Sequence, residues 1–195
     1  MPRMTATKTP IDRLHFTGDD EADRLLASEP LALLIGFALD QQVSVQKAFS
    51  GPAELRRRVG HLDAGRLAAM DPDELAAAFR QRPALHRFPA AMAKRVQALC
   101  AFLVANYGAD ARRVWTDARD GRDLQARLLA LPSIGDMKAR SLIAILGKRF
   151  GVELPGLDEV MPRHATLGDV DSPEALASYQ AAKRAWKAAS KGAMG

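Results

Sequence analysis

The chain has a single cysteine, Cys100, in 195 residues. That excludes an intramolecular disulfide and any four-cysteine zinc or iron–sulfur site, so no cluster cofactor is expected. Cys100 lies among Leu99, Phe102 and Leu103 and reads as a core residue. Aromatic residues are scarce, 6% of the whole. No apolar run approaches the roughly 20 residues needed to span a bilayer. The first residues, MPRMTATKTPIDR, have no apolar stretch of signal-peptide length. The four histidines, His15, His61, His86 and His164, stand at no metal-ligand spacing from one another or from Cys100. No metal site and no membrane partner is therefore expected, and the chain reads as soluble, cytoplasmic and monomeric.

Hydrophobic residues make up 48%, enough for a core, and the net charge of +5 is compatible with a polyanionic partner. No alternating apolar segment is long enough for a sheet, and there is no internal repeat. Helix signals recur instead. Asp19 to Ser28 reads as a short helix. Pro30 opens LALLIGFALDQ, apolar on nearly every face and so expected to be buried. Val43 to Ser50 reads as another short helix, with Gly51-Pro52 and Asp71-Pro72 as turns that start the next ones. Pro89 begins the longest helix, stopped by Gly108. Helices are expected over Asp120 to Leu131, Asp136 to about Phe150, and Pro173 to Lys191, with 151–172 as an irregular connection. The class is all-α, with residues 1–16 as a polar tail and 17–195 as the folded domain.

One stretch calls for a function. LPSIGDMKARSLIAIL, residues 131–146, is a short glycine hairpin followed by a helix with basic residues on its first turn. Free N–H groups and the positive end of the helix dipole make such a helix start a seat for a phosphate. Pro132 stiffens the loop and Gly135 permits the turn and a close backbone approach. Between Leu131 and Gly151, Asp136 stands against Lys138, Arg140, Lys148 and Arg149. That is the physics of a sequence-independent grip on a nucleic-acid backbone. An ordinary αα-corner in a helical bundle is the alternative.

The motif L-P-x-I-G-x-x-K-A resembles the helix-hairpin-helix element of the DNA glycosylase superfamily that includes endonuclease III and 3-methyladenine DNA glycosylase II. ALDQQVSVQKA, residues 38–48, resembles the QQVSV segment of the second of these branches. The resemblance covers residues from about 30 to 165. It implies two interlocked helical subdomains, a helix-hairpin-helix at about 124–146, and a cleft that receives a damaged base flipped from double-stranded DNA. It implies hairpin contacts to DNA from Pro132, Ser133, Ile134, Gly135, Met137 and Lys138. It also implies a monovalent cation held by carbonyls around Leu131 and Ile134. Gln41 and Gln42 match positions near the gap left by the flipped base; a buried pair capping nearby helices is the alternative.

The resemblance assigns the catalytic role to a carboxylate after the hairpin helix. Asp158 falls seven residues after Gly151, and Arg163 five after Asp158, which is the superfamily's spacing. The surroundings, Leu157-Asp158-Glu159-Val160 with Pro162 before Arg163, depart from the usual context. Asp158 is alternatively a solvated loop carboxylate, with Glu159 and Glu153 as substitutes. Relatives that also cut the backbone carry a Schiff-base lysine where this chain has Met137. Lys138 is one residue on, turned by about 100°, and is expected to meet phosphate. The implied activity is a DNA N-glycosylase of base excision repair without lyase activity, acting on a damaged base of nucleoid DNA, with alkylated bases as the branch's expectation. The alternatives are a non-catalytic module that recognises distorted DNA, and a helical protein–protein module.

Three further features bear on function. His86-Arg87-Phe88 is either a wedge for the duplex or a loop in which Phe88 staples the long helix, and the staple is expected. Lys94 and Arg95 are expected to be solvated. In the last helix Ala175, Leu176, Tyr179, Ala182 and Trp186 form an apolar stripe, so docking through Trp186 is expected, with Lys183, Arg184, Lys187 and Lys191 on a basic face.

Overall fold

The computed structural model describes residues 11–192, with side chains to residue 189. Its helices form two groups. The first comprises α1 (Asp20–Ser28), α2 (Pro30–Leu39), α3 (Val45–Val59), α4 (Ala64–Ala69), α5 (Pro72–Arg80) and α6 (Pro89–Tyr107). The second comprises α7 (Arg113–Thr116), α8 (Gly121–Ala130), α9 (Asp136–Lys148), α10 (Leu157–Val160), a 3-10 turn (Leu167–Asp169) and α11 (Pro173–Gly192). Packing is dense within each group, α2 on α3 and α6 in the first, α9 on α8 and the 3-10 turn in the second. One apolar cluster runs through both. Among the described residues there is no strand, and the fold is all-α. Among the same residues no helix is long and apolar enough to cross a membrane.

Local chemistry sets the helix ends. Asp19, Asp63 and Asp120 accept from Ala22, Arg66 and Asp123 N–H at 2.8, 2.7 and 2.8 Å. Asp71 accepts from Asp73 and Glu74 N–H ahead of Pro72. Gly60 and Gly108 end α3 and α6 in the left-handed conformation, at φ 82 and 61. As the apolar run in α2 indicates, all of its residues from Leu31 to Leu39 are buried.

Several boundaries differ from the sequence reading. Gly51-Pro52 does not start a helix: α3 runs unbroken through it, with Pro52 inside. Gly51 sits against α2, where a Cβ would meet Leu39 Cδ1 at 2.4 Å, so the glycine serves helix contact rather than a turn. Residues 11–16, counted with the polar tail, join the body, for Leu14 and Phe16 are fully buried. Asp23 Oδ1 secures them by accepting from Phe16 N–H, Thr17 N–H and the Thr17 hydroxyl at 3.1, 2.9 and 2.9 Å. The connection 151–172 contains α10 and the 3-10 turn, and α4 and α7 are too short to show a helical period.

Helix α11 docks by its first half only. Leu176 is buried and Tyr179 half-buried, and Gln46 and Gln180 exchange amide hydrogen bonds of 3.2 and 2.8 Å between α3 and α11. Every residue from 181 to 189 is exposed. Trp186, expected to be the anchor, is 70% exposed. The apolar stripe continues past Tyr179 onto exposed residues. Lys191 lies outside the described side chains.

Candidate functional site

The hairpin joins α8 to α9. Leu131 ends α8, and Ile134 N–H closes the turn onto the Leu131 carbonyl at 3.2 Å. The turn does not use Gly135 as expected. Gly135 is extended, at φ −93 and ψ −177, and the left-handed residue is Ser133 at φ 70. What Gly135 provides is open space: a Cβ there meets nothing within 4 Å. No side chain caps α9, and Gly135, Asp136 and Met137 are exposed, so its first N–H groups face outward.

The basic residues nearby are more occupied than their charges suggest. Arg140 pairs with Asp136 at 2.8 Å, and Lys148 pairs with Asp169. Lys138 is half-buried and donates to the Ser133 carbonyl at 3.2 Å. Among the described residues no group of three or more His, Cys, Asp or Glu is placed to hold a metal ion.

Lys138 lies within electrostatic reach of Asp40, at the end of α2, and of Arg95. Arg95, on α6, donates to Gln41 Oε1 at 2.5 Å. His86 Nδ1 accepts from Phe88 N–H at 3.0 Å, which leaves Nε2 as the donor to the Leu39 and Gln41 carbonyls at 3.1 and 3.0 Å. Gln42 follows, exposed and left-handed at φ 53. Two non-glycine residues held at positive φ, Gln42 and Ser133, thus sit in the two segments that carry the sequence motifs. Phe88 does not staple α6: it is 41% exposed, with the Arg87 guanidinium 4.9 Å over its ring.

Asp40 is the C-cap of α2. Burial pushes its pKa up, against the opposing charges of Lys183, Lys138 and Lys187. Burial pushes the Lys138 pKa down, with Asp40 pulling it up and Arg95 adding to the depression. Tyr179 is raised by burial and by the Asp40 charge. Lys138 of α9 and Lys183 and Lys187 of α11 therefore lie within electrostatic reach of one carboxylate.

A family model described as HhH-GPD superfamily base excision DNA repair protein matches residues 35–187, from α2 into α11. The chain belongs to the HhH-GPD superfamily. No curated protein and no solved structure matches it. Superfamily membership makes DNA the partner and base excision repair of the glycosylase type the activity class.

Within this HhH-GPD fold the residues named from sequence do not all meet. Gln41 and Gln42 lie in the α2–α3 loop, and Met137 and Lys138 in the first turn of α9. Asp158 lies elsewhere. It is exposed on α10, beside an open groove of about 580 Å³ whose lining includes Gly147, Glu153 and Arg163. Gly147 is near the far end of α9, ten residues from Met137, which is about 15 Å along the helix. Three groups were missed. Asp40 was within the quoted QQVSV stretch but carries no local signal, since only tertiary packing buries it. Arg95 was read as solvated, because nothing in the sequence pairs it with Gln41. His86 was read as a loop residue, although its neighbours Leu85 and Phe88 hinted at a partly buried ring.

Proposed function

We propose that the protein is a monofunctional DNA glycosylase that hydrolyses the N-glycosidic bond of a damaged base, alkylated purines first among the candidates. It acts as a monomer on duplex DNA in the cytoplasm. The hairpin segment Pro132-Ser133-Ile134-Gly135 and the N–H groups of α9 meet the DNA backbone, with Met137 and Lys138 beside them. Gln41 and Gln42 approach the gap in the duplex. A carboxylate stabilises the cationic sugar as the glycosidic bond breaks and orients the attacking water. Spacing names Asp158 for this role.

The observation that carries the reading is the pair Met137 and Lys138. Met137, at the position of the Schiff-base lysine, is 67% exposed and has no amine. The adjacent amine, Lys138 Nζ, is turned back onto the Ser133 carbonyl at 3.2 Å. A damaged base that enters here meets no free nucleophilic amine on the hairpin, which favours water as the nucleophile.

A second reading, a non-catalytic module for distorted DNA, is favoured by the exposure of Asp158 and its distance from the hairpin. Base release from duplexes carrying one lesion each (alkylated adenine, hypoxanthine, uracil, hydroxymethyluracil, oxidised guanine) separates the two. The glycosylase releases at least one base. A protein that binds these duplexes and releases none is the module. In the same assay Asp158→Asn assigns the carboxylate by spacing if release is lost with affinity intact. Retained release moves the role elsewhere in the cleft.

A further inference from the structure

Helix α11 outruns the body it packs on. Its first half docks through Leu176 and Tyr179. Gln180 closes the contact by exchanging amide hydrogen bonds of 3.2 and 2.8 Å with Gln46, in the first turn of α3. From 181 to 189 every residue is exposed. At 3.6 residues per turn, Leu176, Tyr179, Lys183, Trp186 and Lys187 fall within about 100° of arc. The docked stripe therefore continues past the body on the same face, but its chemistry changes there to an indole set between two ammonium groups. Trp186 is 70% exposed, and Lys183 Nζ lies 5.7 Å from the Tyr179 ring centroid. Arg184 borders the face, and Glu174, at the docked end, is the one acidic residue of 173–192. An exposed aromatic among cations, with no carboxylate beside it, is complementary to a polyanion.

The place where α11 leaves the body names the polyanion. Gln46 follows Gln42 by four residues, so the exposed half begins beside the α2–α3 loop. Lys183 and Lys187 also lie within electrostatic reach of Asp40, as Lys138 of the hairpin helix does. The exposed half of α11 and the hairpin helix thus share one side of a protein whose superfamily works on DNA. We propose that residues 181–189 are an accessory DNA-binding arm, in which Lys183 and Lys187 engage phosphates of one strand next to the hairpin's contact and the Trp186 indole packs on the sugars between them. The two lysines are about 6 Å apart along the helix axis. That is close to two nucleotides of one strand, at about 3.4 Å each along the duplex. Counterions released from the phosphates supply affinity for any sequence, and burial of the indole adds apolar contact. The arm brings no nucleophile or carboxylate to a sugar, so it serves affinity and not the chemical step.

Two measurements on the full chain test the arm. The first is affinity for an undamaged and a lesion-bearing duplex at several salt concentrations. The Lys183→Ala/Lys187→Ala double variant is expected to bind both more weakly by a similar factor, and to lower the slope of log affinity against log salt by about two units. An unchanged slope overturns the arm, as does a wild type that binds no duplex. The second follows tryptophan emission as undamaged duplex is added. The chain has two tryptophans, and Trp115 is only 7% exposed, so Trp186 is the reporter. Emission is expected to change with the midpoint of binding, and Trp186→Phe to lose that change. No change in the wild type, or a change that survives Trp186→Phe, overturns the arm. A dimer of the free protein that Trp186→Lys dissolves assigns the face to a second copy instead and overturns it too. Neither measurement needs turnover. A wild type that releases no base from any lesion therefore refutes the glycosylase reading alone, while the salt slope and the emission still decide the arm.

Discussion

Lys138 Nζ donates to the carbonyl of Ser133 at 3.2 Å, tying the first turn of α9 to the left-handed residue of its own hairpin. The lysine therefore holds the loop in shape and lends it charge at once. Lys138→Ala is expected to weaken binding to every duplex by a similar factor and to lower the slope of log affinity against log salt by about one unit. Fluorescence anisotropy at several salt concentrations reads both. A loss confined to one sequence contradicts a backbone role.

Ser133 occupies a backbone region that L side chains rarely adopt, at φ 70. Ser133→Gly relieves that strain and is expected to raise stability by up to about 1 kcal/mol, or roughly 2–4 °C in Tm for a domain of this size. Ser133→Val, β-branched at the same φ, is expected to lower it. Thermal unfolding of the three proteins checks the order.

The same hairpin shows what a sequence does and does not disclose. Its place in the chain was legible, because Pro132 and Gly135 punctuate two apolar helical segments. Which residue takes the left-handed conformation was not, since glycine permits positive φ without requiring it. Likewise α2 was legible as a buried helix from composition, whereas the carboxylate at its end was not. Asp40 looks like any helix-terminal aspartate until α9 and α11 cover it. The break expected at Gly51-Pro52 failed for a related reason: the glycine answers to Leu39, a residue of the neighbouring helix. Trp186 failed in the opposite direction: its stripe is helical as expected, but it is buried only as far as Leu176 and Tyr179.

His86 must be neutral to make its contacts, since Nδ1 accepts from Phe88 N–H while Nε2 donates to the two carbonyls of the Leu39–Gln41 segment. Burial lowers its pKa below the usual 6.5. The unfolded chain then binds a proton more readily than the folded one, so this contribution is present above 6.5 and is lost as pH falls from there through the folded value. Wild-type Tm is expected to fall over that window, and His86→Phe, which cannot titrate, is expected to show a smaller fall from a lower starting point. Equal slopes for both proteins contradict the assignment.

Asp40 works in the other sense. Its folded pKa lies above the usual 3.8, so ionising it costs stability as pH rises through the interval, and the cost persists above it. Asp40→Asn is expected to raise Tm at neutral pH, with the gain shrinking in acid. A residue whose neutral replacement stabilises the fold is kept for a reason other than stability. A lower Tm at neutral pH identifies Asp40 as a structural carboxylate.

The two ends of α11 are expected to respond differently. Leu176→Ala removes a side chain that is only 5% exposed and should cost about 2–3 kcal/mol. Trp186→Ala, at a site 70% exposed, should change stability by no more than about 0.5 kcal/mol. Denaturant midpoints distinguish them, and a large effect at Trp186 contradicts the half-docked helix.

The most direct test of the central claim follows one labelled strand of a lesion-bearing duplex on a denaturing gel, before and after hot alkali. A monofunctional glycosylase leaves the strand whole until alkali and cut at the lesion afterwards, with free base in solution. A strand cut before alkali contradicts hydrolysis without lyase chemistry, and a strand still whole after alkali, for every lesion tried, contradicts the enzyme.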